Sequence, residues 1–301
     1  MAGRRTKKKS DRLLKAAILL GILIGAGFVL RHPGIRHGIN EVLLSSAAAR
    51  IIPEPAVPPS SAKTVGHTVR KPRFGNLNYG VPGTADAIIE REGYALGYME
   101  KHEQAAWVQY RLTGEQVSLK AVRRGNRFAE DPAVPTGSAT PGDYRNSGFD
   151  RGHLAPAADM AYSPLTMKEG FYMSNISPQR PKFNRGIWKR LESQVRFFAV
   201  KEREICVGTG PVLPVTKTET VGRNKVTVPT HFYKVVYDLT PPGKMIGFIV
   251  PNEGSSRPLR DFAVPVAVVE AVTGLDFFSR VPQPKQTLLE TTLSVGDWHW
   301  Q

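Results

Sequence analysis

In the run Gly148-Phe149-Asp150-Arg151-Gly152-His153, answered 31 positions after His153 by Asn184, residue types that could act together on a phosphate ester lie close in the chain. An imidazole titrates near neutrality, so neutral His153 can take a proton from water. Arg151 can form charge-assisted hydrogen bonds to a phosphate oxygen. The amide oxygen of Asn184 suits Mg²⁺, which prefers oxygen and keeps several of its waters, so a single direct protein ligand can suffice. Gly152 lets the backbone approach a ligand closely. Hydrolysis of a phosphodiester needs a nucleophile made from water, neutralised phosphate charge and a stabilised leaving oxygen, and this set supplies them. Each residue alone also has a plainer explanation: a hydrogen-bonded structural histidine, a helix N-cap at Asn184, or a surface ion pair between Asp150 and Arg151.

The elements that must hold these residues follow from periodicity. Residues 94–98 and 105–112 alternate as paired strands around Lys101-His102-Glu103. Residues 130–147, rich in Pro, Gly and Ser, form an irregular loop leading to the motif. Ile187, Leu191, Val195 and Phe198 recur at helical spacing, which predicts an amphipathic helix over 184–202. Residues 205–212, 225–239 and 245–250 have the apolar content of core strands, and a helix over 266–273 stops at Gly274. The expected fold is α+β, with helices packed on a largely antiparallel sheet.

Bulk properties agree with a basic enzyme acting on a polyanion. The chain of 301 residues carries a formal charge of +15, of which residues 70–301 hold +7, from 30 basic and 23 acidic side chains. The single cysteine, Cys206, excludes an intramolecular disulfide framework, and its apolar surroundings predict a buried, inert thiol. Residues 1–12 form a basic tail and 13–30 an apolar segment of spanning length if Lys15 snorkels. By the positive-inside rule this is a transmembrane signal anchor with the tail in the cytoplasm and the remainder on the non-cytoplasmic, periplasmic or extracellular side. The alternatives are secretion after cleavage of a signal peptide and a mitochondrial-type presequence. Residues 31–73 are a Pro-rich linker in which His32, His37 and His67 are solvated. A globular region follows over 74–280, with 281–301 as a C-terminal tail.

The spaced segments Asp150-Arg151-Gly152-His153-Leu154-Ala155-Pro156, Ser174-Asn175-Ile176-Ser177-Pro178-Gln179 and Asn184-Arg185-Gly186-Ile187-Trp188-Lys189-Arg190-Leu191-Glu192 resemble the DNA/RNA non-specific endonuclease family, and within it the endonuclease G-like branch. The likeness extends to Asp143-Tyr144-Arg145, Gly208-Thr209-Gly210-Pro211 and Val228-Pro229-Thr230-His231-Phe232-Tyr233-Lys234. The resemblance implies a ββα-metal (His-Me finger) nuclease fold. It makes His153 the general base, Asn184 the direct ligand of Mg²⁺ (with Mn²⁺ as a substitute), and Glu192 the holder of a water in the ion's shell. An ideal helix would put Asn184 and Glu192 within about 80° of each other around its axis. Asp150 and Asn175 would support the hydration shell and loop, and Arg151 would contact phosphate. An upstream arginine, Arg123, Arg124 or Arg127, would assist near the reacting phosphate. His231 matches a family position but is expected to be structural. The implied reaction is hydrolysis of DNA and RNA to 5′-phosphate ends with little base preference, and the implied assembly is a homodimer.

Two other classes compete with this reading. One is a catalytically inactive, membrane-tethered nucleic-acid-binding module; the other is a basic membrane-anchored scaffold for protein partners. Metal-dependent nicking separates the enzyme from both, and a steep salt dependence of DNA affinity separates the binding module from the scaffold.

Overall fold

A computed structural model describes residues 74–216 and 219–301. The basic tail, the apolar segment 13–30 and the Pro-rich linker lie outside the described residues. Among the described residues, no helix is long and apolar enough to cross a membrane.

The chain runs through β1 (Ala87–Glu90), β2 (Ala95–Met99), β3 (Gln104–Thr113), α1 (Gly114–Leu119), β4 (Asp150–His153), α2 (Pro164–Gly170) and β5 (Ile176–Gln179). It continues through α3 (Lys189–Lys201), β6 (Glu204–Pro211), β7 (Thr220–Val221), β8 (Val226–Thr227), β9 (His231–Asp238), β10 (Lys244–Pro251), β11 (Ala263–Val264), α4 (Val266–Thr273) and α5 (Lys285–Thr291). A seven-stranded sheet of order β1-β2-β3-β6-β9-β10-β11 is antiparallel throughout, as expected from the alternating strands.

Period-two alternation divides the core between the two faces of this sheet. Phe232 and Val236 of β9, with Ile246, Phe248 and Val250 of β10, join Leu191, Val195 and Phe198 of α3 on one face. Tyr233, Val235 and Tyr237, with Met245 and Ile249, join Val266, Val269 and Val272 of α4 on the other. Helix α4 ends at Gly274 with φ 71°, the left-handed cap its sequence predicted.

Three expectations need correction. The helix predicted over 184–202 begins at Lys189, because a π turn, Phe183–Trp188, precedes it and Gly186 takes φ −107°, ψ −108°. The strand predicted over 225–239 is two strands, separated at Pro229, which has no N–H to give a ladder. Residues 281–301 are no loose tail: α5 lies there, and buried Trp298 packs tilted against Phe198 with ring centroids 4.6 Å apart. Lys244 fastens this end to the sheet, pairing with Glu202 at 3.1 Å and Asp238 at 3.2 Å while resting 4.9 Å from the Trp298 ring.

Candidate active site

Strands β4 and β5 pair antiparallel, Asp150 opposite Gln179 and His153 opposite Ile176. The chain then enters the π turn and α3, so two strands and a helix present the motif residues. Fully buried Phe183, Ile187 and Trp188 anchor the turn, and Phe183 stacks between Trp188 at 5.2 Å and Phe232 at 5.1 Å. Half-buried Asn184 lies within this anchored segment.

The Asn184 Nδ2 donates to Asp150 Oδ2 at 2.9 Å. Arg185 forks onto the same carboxylate, Nε to Oδ2 at 2.8 Å and Nη2 to Oδ1 at 2.6 Å. Against the cost of burial, these hydrogen bonds hold the Asp150 carboxyl below the usual range, so it stays ionised. Asn184 is therefore neither an N-cap nor an ideal-helix neighbour of Glu192, because the turn breaks helical register between them. Its amide nitrogen is committed to the strand that ends in His153, which leaves the amide oxygen as the group available to a cation. A carboxamide oxygen and a carboxylate, the groups that Asn184 and Glu192 offer, are hard donors suited to Mg²⁺ or Mn²⁺ rather than a soft metal.

His153 sits in an aromatic box. Its ring meets Phe171 edge-on at 4.8 Å and Phe128 at 5.5 Å, and Nε2 is buried without a partner. Burial, then the charges of Arg124 and Arg151, pushes the imidazole down to about 3, so it is neutral at physiological pH. Arg151 is not paired with Asp150. Its guanidinium stacks 4.3 Å from the Phe128 ring centroid and, among the described residues, has no acidic partner, which leaves its donors for an anion. Of the three upstream arginines, Arg124 is the one that reaches this box: it lies 6.0 Å from the Phe171 ring, and its charge acts on both His153 and Glu192.

Asn175 is fully buried, and its amide serves the backbone. Oδ1 accepts from Ala155 N–H at 2.9 Å, and Nδ2 donates to Ala155 O and Gly170 O at 3.0 Å each. It fixes the chain just past His153. Gly152 is needed for packing rather than ligand approach: a Cβ there would lie 2.1 Å from Cδ of buried Gln179. His231 begins β9, its Nδ1 3.1 Å from Thr230 Oγ1, and burial lowers its pKa. Cys206 is buried and its thiol is pushed up to about 12, which makes it inert.

Beneath α3 lies a set of charges that motif reasoning missed. Asp159 accepts from Tyr110 Oη at 2.8 Å and pairs with Arg196 at 2.9 Å. Lys234 is fully buried, its Nζ 3.0 Å from Thr209 Oγ1 and 4.8 Å from the Trp188 ring centroid. Burial raises the Glu192 carboxyl to about 7, opposed chiefly by Lys234 and joined by Asp159, while burial lowers the Lys234 ammonium to about 8, opposed by Glu192. A signal for Lys234 exists in the sequence: it takes an inward position between Phe232 and Val236, where alternation calls for an apolar residue. Away from the motif, Glu270, Asp276 and Glu290 offer oxygens within 4.8 Å of one another. Burial pushes Glu270 up to about 9 and Glu290 up to about 7, and Gln286 donates to Asp276 and Glu290, so a protonated Glu270 and an amide tie account for the cluster.

Comparison with known proteins identifies the family. The family model described as DNA/RNA non-specific endonuclease matches residues 74–284. The chain is 38% identical to nuclease C1 of Cunninghamella echinulata var. echinulata over 228 residues, 68% of this chain and 88% of that protein. It is 38% identical to human mitochondrial endonuclease G over 218 residues, 67% of this chain and 73% of that one. The Saccharomyces cerevisiae mitochondrial nuclease is 31% identical over 300 residues, covering 90% and 88%. Among solved structures, an EndoG chain crystallised with EndoGI superposes with a TM-score of 0.65 at 32% identity, covering 72% of this chain and 95% of that one. The chain belongs to the DNA/RNA non-specific endonuclease family.

Proposed function

We propose that the protein is a metal-dependent, sugar-non-specific endonuclease of the His-Me finger type, hydrolysing DNA and RNA to 5′-phosphate ends. The observation that carries this reading is the pairing of a neutral, boxed His153 with an Asn184 whose amide nitrogen is tied to the same strand. Asn184 Oδ1 would hold the ion, with Glu192 at its hydration shell. When bound, Mg²⁺ draws charge off the scissile phosphate and the leaving oxygen.

The chain's own residues do the rest. Because Nε2 of His153 is buried without a hydrogen-bond partner, Nδ1 is the nitrogen left to take the proton from water, which requires the Nε2–H tautomer. The depressed pKa keeps that nitrogen unprotonated before attack. Arg151, steadied on Phe128, and Arg124 bind phosphate oxygens, positioning the strand without reading bases. Asp150 fixes the rotamer of Asn184, and Asn175 fixes the backbone behind His153.

The apolar segment 13–30, preceded by the basic tail, supports placing this enzyme on the non-cytoplasmic side of a membrane; fractionation of a tagged chain tests it. Activity is tested by supercoiled-plasmid and RNA cleavage with Mg²⁺ and with EDTA, followed by end analysis. Metal-dependent nicking that leaves 5′-phosphates supports the reading. Cleavage that persists unchanged in EDTA, or the absence of any cleavage, removes it.

A further inference from the structure

Beside β4 lies a cleft of about 430 Å³ lined by Pro141, Tyr144, Arg145, Phe149, Asp150 and Arg151. Its electrostatics are one-sided. The Asp150 carboxylate is already committed to Arg185 and Asn184. Arg145 and Arg151 have no acidic partner among the described residues. Two guanidinium groups thus border one cavity without a counter-charge, and an anion is the ligand that satisfies them.

The cleft is also aromatic. Tyr144 is buried in its wall, where its hydroxyl lies 3.4 Å from Ile176 O, and half-buried Phe149 carries the Arg180 guanidinium 5.2 Å from its ring centroid. The volume falls within the range of sites that take a small organic ligand and leaves room for one nucleotide. Arg151 borders both the cleft and the His153 box, since its guanidinium rests on Phe128, which flanks the imidazole. A strand whose phosphate meets His153 would therefore have its next nucleotide at this cleft.

We propose that the cleft is a subsite for one nucleotide flanking the scissile phosphate, with a phosphodiester held between Arg145 and Arg151 and the base against Phe149. This rests on the phosphodiesterase reading above. A base that packs on Phe149 must be free of its partner, so the subsite serves single-stranded or frayed substrate better than intact duplex. Stacking on an aromatic ring tolerates any base, in keeping with a non-specific enzyme.

The test uses the full-length chain with Mg²⁺ and a short single-stranded oligonucleotide, beside a duplex of the same sequence. KM is measured against salt concentration for wild type, Arg145→Ala, Arg145→Lys and Phe149→Leu. Removing one phosphate contact on a single strand should reduce the slope of log KM against log salt by about 0.7. Arg145→Ala should show that loss and raise KM more than it lowers kcat, while Arg145→Lys keeps the slope. Phe149→Leu should raise KM on the single strand by roughly tenfold and change it much less on the duplex. If wild type cleaves but Arg145→Ala keeps the wild-type slope and Phe149→Leu keeps its KM, the subsite is wrong and the nuclease reading stands. If wild type shows no metal-dependent cleavage, both are overturned.

Discussion

Gly152→Ala is a one-carbon test of how the motif strand is held. The added Cβ would lie 2.1 Å from Cδ, 2.2 Å from Oε1 and 2.4 Å from Cγ of Gln179. Carbon atoms pack at about 3.5–4.0 Å, so each contact is short by an ångström or more. Gln179 is fully buried on β5 and cannot swing into solvent, so the strands must separate. Overpacking of this kind costs roughly 1–3 kcal/mol, and each kcal/mol lowers the melting temperature by roughly 2–4 °C in a domain this size. His153 is the next residue, and a displacement near 1 Å costs about a hundredfold in rate. The Gln179 amide makes no hydrogen bond, so Gln179→Ala removes all three clashing atoms without breaking a polar contact. In a double-mutant cycle read by urea unfolding and by kcat, Gly152→Ala should be harmful in the wild-type background and nearly silent beside Gln179→Ala. Equal damage in both backgrounds would refute the steric explanation and return Gly152 to a role in ligand approach.

Asp150→Ala frees the amide of Asn184 and should raise the Mg²⁺ concentration for half-maximal activity by about 10- to 100-fold, the usual effect of losing an outer partner of a metal ligand; an unchanged Mg²⁺ titration would contradict the clamp. His153 has a folded pKa of about 3, below its unfolded value of 6.5. Its contribution to stability is thus present above pH 6.5 and lost as pH falls toward 3. His153→Phe should flatten stability over that window, and the acid limb of wild-type kcat/KM should lie clearly below pH 6.5. A limb centred at 6.5 would mean an exposed imidazole. Asp159→Ala leaves Arg196, whose side chain is only 20% exposed, without its counter-charge and should cost about 3 kcal/mol in urea unfolding. A loss under about 1 kcal/mol would show the pair to be solvated.

Much of the scaffold was legible because it depends on local pattern. The β2–β3 pair, β6, β10 and α4 with its glycine cap follow from alternation, turn residues and left-handed capping. Helices α1, α2 and α5, of six, seven and seven residues, are too short to display a 3.6-residue period, so apolar spacing does not report them. The start of α3 is hidden in the sequence because apolar spacing runs unbroken through Ile187 while the backbone does not: Gly186 departs from helical angles, which no periodicity reports. Within the site, the motif residues could be named from their chemistry, but their partners are distant in sequence. Asp150 meets Arg185 rather than its neighbour Arg151, and Arg196 meets Asp159 from 37 positions away. Arg124 could not be told from Arg123 or Arg127 until Phe171 was packed beside His153.

The central claim is that His153 and Asn184 serve one reaction in different roles, base and cation ligand. Single-turnover cleavage of plasmid DNA by His153→Ala and Asn184→Ala, each titrated with Mg²⁺, separates those roles. The account predicts that His153→Ala stays slow by orders of magnitude at every Mg²⁺ concentration, whereas Asn184→Ala recovers part of its rate as Mg²⁺ rises. Turnover like wild type in both variants would contradict it.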